Sequence, residues 1–287
     1  MSPAMLAVLT GLFLALASLY IRWGLERGTS GAAVLIVNMI SAFVAWPLYL
    51  VFASHSDTSN WAVLAFVGAG VTGLFLGRVL LFAGMQRVGV AVSTPLYNVQ
   101  APLSVMGGAI LFSEALSPLI GLGTAAAVGG AGLLCLGKFS LGLEQRAQLR
   151  ELALPLASGM CIAAGFVLRK WGLLETPDIY LGLAIMTSTA FVISLGSAVI
   201  HRQTIRFPTG RPLKMFVMAG LMTNVAHLSS LAALLHGNLV VVIPLQNTEM
   251  LFALLLSLVF LRRLEQVTLA VVAGAALVMM GAVLVNL

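Results

Sequence analysis

The sequence predicts an all-α integral membrane protein, with ten transmembrane helices in two inverted five-helix repeats. Three observations predict it. The 287-residue chain is 60% hydrophobic and only 8% charged, with a mean hydropathy of +1.07. A soluble domain is about 25% charged, so these charges are too few to build a water-facing surface. Ten apolar stretches, at 4–22, 31–53, 62–86, 89–111, 118–137, 152–170, 178–200, 212–235, 239–261 and 267–286, suit a hydrocarbon core that needs about 20 residues per span. Finally, the chain repeats itself: Pro95-Leu96-Tyr97-Asn98 recurs as Pro244-Leu245-Gln246-Asn247, at an offset of 149 residues.

Other matches run through the whole length. Arg22 and Trp23-Gly24-Leu25 recur as Lys170 and Trp171-Gly172-Leu173, offset by 148, and Ala42-Phe43-Val44 recurs as Ala190-Phe191-Val192. Glu114-Ala115-Leu116-Ser117 matches Glu265-Gln266-Val267-Thr268, offset by 151. The drift is what loop insertions produce. Each half holds an odd number of spans, so the second enters the membrane upside down relative to the first. The expected boundaries are 1–137 for the first five-helix repeat, 138–151 for a cytoplasmic connector and 152–287 for the second repeat.

Taken in order, the spans explain their own punctuation. The first ends at Arg22-Trp23, where a charge and an interfacial aromatic are expected. The third looks complete near Phe82, but its counterpart, the eighth, runs to about Leu235; the repeat therefore extends the third to about Gln86. The fourth and ninth carry Pro95 and Pro244, each of which removes a backbone hydrogen bond and kinks the helix. Glu114 and Glu265 stand just before the fifth and tenth, placed to cap those helices. Close glycines such as Gly73 and Gly77 suit tight helix packing, with a dimer face as the lesser alternative. The basic loop 201–212 reads as a cytoplasmic topology determinant.

Composition also excludes classes. The apolar runs lack the alternating polar residues of a β-barrel. Cys135 and Cys161 both lie in predicted spans and read as packing residues. The four histidines have no ligand spacing, so no metal and no cofactor is expected. Glycines at 121–132 sit in an apolar helix, not a phosphate loop. No nucleophile–base pair stands out, so the chain does not read as an enzyme. No Lys or Arg precedes the first span, against a cleaved signal peptide. The net charge of +6 does not imply nucleic acid, because thirteen Lys or Arg fall on one side and two, Arg169 and Lys170, on the other. That bias places the connector in the cytoplasm and both termini outside, on the periplasmic side of the cell's inner membrane.

The candidate site comes from polar groups at depth. Glu249 lies about 15 Å into its span at 1.5 Å per residue, near the midplane. A charge there is expensive unless paired or hydrated, and the carboxyl is more easily kept protonated. It is the candidate for proton coupling; the alternative is a structural carboxylate bonded within the bundle. His227, about 12 Å deep, is its candidate partner in proton coupling and substrate binding, against a satisfied core histidine. Arg78 and Gln100 hold the repeat positions of His227 and Glu249. Arg78 either snorkels to the cytoplasmic surface or faces inward, where it could bind a carboxylate or phosphate. Tyr97, Asn98, Gln100, Asn224, Gln246 and Asn247 complete the expected substrate contacts, with Pro95 and Pro244 as hinges. Asn38, Ser41 and the Thr187-Ser188-Thr189 run read first as glue between helices.

The Trp-Gly-Leu after the first span, the Pro-Leu-x-Asn of the fourth, Glu114-Ala115-Leu116-Ser117 and the Gly-rich fifth span resemble the drug/metabolite transporter superfamily, EamA-type ten-helix branch. The resemblance implies two inverted repeats and alternating access to a central cavity lined by the third, fourth, eighth and ninth helices. It implies export of amino acids or similar small metabolites, in some members with protons, through a lipid bilayer. Arg78, and Arg262-Arg263 before Glu265, depart from the pattern. The rival readings are a proton-independent facilitator or uptake carrier, a multidrug exporter and, more remotely, a non-transporting assembly or lipid-handling protein.

Overall fold

The computed structural model describes residues 2–53, 58–115, 118–119, 121–123, 125–126, 129, 145–200, 208–260, 273, 276–277 and 280. All its regular elements are helices: α1 (Pro3–Leu25), α2 (Ser30–Phe52), α3 (60–88), α4 (Val90–Tyr97), α5 (Gln100–Phe112), α6 (Gln145–Glu175), α7 (Ile179–Ile200), α8 (Arg211–His236), α9 (Leu239–Gln246) and α10 (Glu249–Phe260). Among the described residues six helices are long and apolar enough to cross a membrane. Most of the expected fifth and tenth spans, with Cys135 and Glu265, lies outside the described residues.

Local chemistry sets the helix ends. Ser2 and Thr29 cap α1 and α2 by accepting from Met5 N and Ala32 N at 3.3 Å each, relieving first-turn N–H groups that have no helical partner. Asp178 does the same for α7, accepting from Tyr180 N at 2.9 Å and Leu181 N at 3.0 Å. α3 is continuous to Val88, slightly beyond the end the repeat predicts, and its middle, Gly70–Gly77, is wound as π-helix. α6 begins at Gln145, inside the stretch read as a connector.

Two spans depart from the single kinked helices expected at 89–111 and 239–261. Each is broken in two, at Asn98-Val99 and at Asn247-Thr248. The break comes three residues after each proline, and tighter bonds replace the regular ladder there: Val99 N to Leu96 O at 3.4 Å, and Thr248 N to Leu245 O at 3.2 Å. Each proline lacks the N–H that would hold the preceding turn, so the short half-helix leading into each break is already weakened. In the first half, Pro102 removes another donor in the opening turn of α5.

The halves pack through each other in matched pairs: α1 lies against α8, α6 against α3, and α2 against α7. The match extends to single atoms. Phe216 of α8, 0% exposed, fills the space over Gly24 of α1, where a Cβ would come within 2.2 Å of its ring. Phe66 of α3, also 0% exposed, does the same over Gly172 of α6, at 2.6 Å. Gly11 of α1 abuts the break between α9 and α10, and Gly159 of α6 abuts the break between α4 and α5. Two apolar clusters, around Phe66 and around Phe216, thus flank the centre. The outer surface is apolar as well: Phe43, Val51, Ile110, Val192 and Ile200 are all more than 60% exposed, as lipid contact requires.

Candidate functional site: a cavity between the two halves

A cavity opens where the broken helices meet α1, α3, α6 and α8. Six of the residues expected at the site line it: Arg78, Tyr97, Gln100, His227, Gln246 and Glu249. The unwound breaks bring four of them here. Tyr97 and Gln246 end the first half-helices, and Gln100 and Glu249 start the second ones. A half-helix N-terminus carries about half a positive charge, which suits a carboxylate such as Glu249.

Side chains are bonded across the halves. The Tyr97 hydroxyl donates to the Glu249 carboxylate, and Ser18 of α1 bonds the same group. Arg78 Nη2 lies 2.9 Å from His227 Nε2. A guanidinium can only donate, so Nε2 accepts and carries no proton in this arrangement. Arg78 Nη1 donates to Asn38 Oδ1, and Asn38 Nδ2 donates to Ser194 Oγ at 2.7 Å. Asn38 therefore joins α2, α3 and α7, as the glue reading expects. Gln246 Nε2 donates to Ser230 Oγ at 3.0 Å, and Gln100 Nε2 to Asn98 Oδ1 at 3.2 Å.

Three expected contact residues do not line the cavity. Asn224 is buried, and its amide donates to Gly220 O of its own helix at 2.9 Å. Asn98 and Asn247 sit at the two breaks, buried at 2% and 4% exposure, behind the cavity wall. There Asn98 accepts from Gln100, and Asn247 N bonds Ile243 O and Pro244 O at 3.3 and 3.2 Å. Both thus serve the breaks, while their neighbours face the opening. Pro244 is buried in α9; the side chain of Pro95 lies outside the described residues.

A model of the EamA-like transporter family matches residues 1–136 and again residues 149–287. The chain belongs to the EamA-like transporter family. It is therefore a multi-pass membrane protein of a family that moves small molecules. A solved crystal structure, one of 26 matching chains, superposes over 100% of the transporter and 99% of its own length, with a TM-score of 0.76 and 17% identity. At that identity the likeness speaks for the fold. No curated protein matches the sequence.

The cavity of this transporter holds residues that sequence reasoning missed. Thr10, Ser18 and Ile21 of α1 and Ile162, Phe166 and Arg169 of α6 line it, beyond the four helices the resemblance implied. Arg169, read as a charge at a span end, is 2% exposed; its guanidinium stacks 4.9 Å over the Phe166 ring, and its Nε has no hydrogen-bond partner. Lys170 turns away and donates to Leu234 O at 2.9 Å and Gly237 O at 2.8 Å, capping α8. Arg78 is likewise 6% exposed and not snorkelling. Removing Arg78 and Arg169 from the topology count takes one charge from each side. Glu114 has a role the sequence did not suggest: it accepts from Leu239 N at 3.0 Å and Val240 N at 2.8 Å, capping α9 in the other half, while residues 116–117, leading into the fifth span that it was expected to cap, lie outside the described residues. Only a fold that brings the halves together could reveal that partner.

Proposed function

We propose that the chain is a secondary active transporter that exports small metabolites such as amino acids by alternating access, with protons as coupling ion. Ten spans in two inverted repeats, in an inner membrane with both termini outside, form the frame of this reading. The observation that carries it is the cavity's construction: repeat-related side chains from both halves meet in one buried polar site between two broken helices. Broken helices at a repeat interface supply unsatisfied backbone and oriented dipoles to bind substrate and ions. Glu249, buried and bonded to Tyr97 across the halves, is the proton carrier. Rocking one half against the other would separate Tyr97 from Glu249 and change the hydration of the carboxylate, which binds or releases its proton. His227 serves the substrate side, since Arg78 already occupies its Nε2.

Purified protein in liposomes tests the reading through counterflow of labelled amino acids, with and without a pH gradient. Flux that rises with the gradient and loses that dependence in Glu249→Gln is expected. Gradient-independent flux in the unaltered protein favours a facilitator, and no flux across a broad metabolite panel counts against transport altogether.

A further inference from the structure

Beyond Glu249, the cavity contains two guanidinium groups, Arg78 and Arg169, at 6% and 2% exposure. Burying one cation is expensive, and burying two together more so, unless an anion compensates. Among the described residues neither has a carboxylate within ion-pair distance. Their surroundings are neutral. Arg78 is held by the oxygen of Asn38 and the unprotonated nitrogen of His227. Arg169 stacks on Phe166 and leaves a buried Nε unpartnered. Such partners fix the direction of a guanidinium without cancelling its charge. Among the described residues the one carboxylate lining the cavity is Glu249, and it is engaged by Tyr97. Much of the remaining wall is apolar, with Leu14, Ile21, Leu74, Phe82 and Ile162.

We infer that Arg78 and Arg169 form an oxyanion clamp, and that the cargo is a small amphipath carrying a carboxylate or phosphate on an apolar body. The clamp deepens the transport reading and rests on it for the word cargo, but the binding itself does not need transport. Guanidinium donors match the paired oxygens of a carboxylate or phosphate. The apolar wall takes the body, and the oxyanion supplies the charge that the cavity lacks. An amino acid meets this description through its carboxylate.

The test is binding to the purified protein in detergent, read as thermal stabilisation across a concentration series, which is independent of flux. The probes are leucine, hexanoate and hexyl phosphate, with hexanamide as the neutral control. At least one oxyanion should stabilise at concentrations tenfold or more below hexanamide, and hexyl phosphate against hexanoate distinguishes the two headgroups. Arg169→Gln should weaken that binding about ten- to hundredfold, the worth of a charged hydrogen-bonded pair. Arg169→Lys, which retains the charge and guards against a mere folding defect, should recover part of it. Hexanamide binding as tightly as every oxyanion, no stabilisation by any oxyanion, or Arg169→Gln binding like the unaltered protein would each overturn the clamp. Oxyanion binding without flux in liposomes would leave the clamp standing and count against the transport reading.

Discussion

Arg78 and His227 hold the same position in the two repeats, 149 residues apart, and meet at 2.9 Å in the centre of the protein. The pseudo-symmetry thus puts two repeat-equivalent but chemically different side chains in direct contact. Residues in one hydrogen-bonded network are energetically coupled, typically by about 0.5–3 kcal/mol. Arg78→Gln and His227→Ala should therefore destabilise non-additively, the double variant losing less than the sum of the singles. Thermal unfolding of the four proteins in detergent measures the cycle; strict additivity would mean that the contact carries no energy.

Gly11 and Gly159 support the breaks from outside. A Cβ on Gly11 would lie 2.6 Å from Thr248 Oγ1 and 2.7 Å from Glu249 N, and one on Gly159 would lie 2.5 Å from Tyr97 O. Backbone cannot move aside as a flexible side chain can. Gly11→Ala and Gly159→Ala are each expected to lose about 1–3 kcal/mol by overpacking, and both should impair flux, because the displaced backbone carries Glu249 or Tyr97. Gly196→Ala is the control: among the described residues a Cβ there would meet nothing within 4 Å beyond its own helix, so it should be neutral or gain about 0.5–1 kcal/mol of helix propensity.

Much of this was legible in the sequence. The duplicated Pro-Leu-x-Asn marked both breaks, and equal offsets paired Arg78 with His227 and Gln100 with Glu249. Hydropathy could not distinguish a kinked span from two half-helices, because the polar residues at each break, Asn98 and Gln100 in one and Gln246 to Glu249 in the other, are too few to interrupt the apolar run around them. Arg169 was misread because it precedes Lys170 at a span end, where cations ordinarily reach the interface. Neighbours on a helix point about 100° apart, so one entered the cavity and the other found the end of α8. The role of Glu114 was hidden for a different reason: its partners lie 125 and 126 residues away.

That long-range cap makes its own prediction. The Glu114 carboxylate satisfies two N–H groups at the start of α9, and a helix of eight residues has little stability of its own. Glu114→Ala should lose about 1–3 kcal/mol, the scale of charge-assisted capping bonds. Glu114→Gln, still an acceptor, should lose less. Hydrogen exchange over 239–246 is the sharper readout: faster exchange confined to α9 is expected, and uniform protection would place the role of Glu114 elsewhere.

Tyr97 and Glu249 separate positioning from titration. If Glu249 carries the proton, Tyr97→Phe removes a donor but leaves the titrating group, with Ser18 still bonded to it. The variant should exchange substrate more slowly, by about fivefold to tenfold for a loss of roughly 1–1.5 kcal/mol, yet still respond to a pH gradient. Glu249→Gln should show the opposite pattern, with measurable exchange and no response to the gradient. Counterflow at two external pH values distinguishes them. A gradient response that vanished in Tyr97→Phe but survived in Glu249→Gln would move the coupling site off the carboxylate. It would make the phenol, which no other residue in the second repeat mirrors because Gln246 holds that position, the group that titrates.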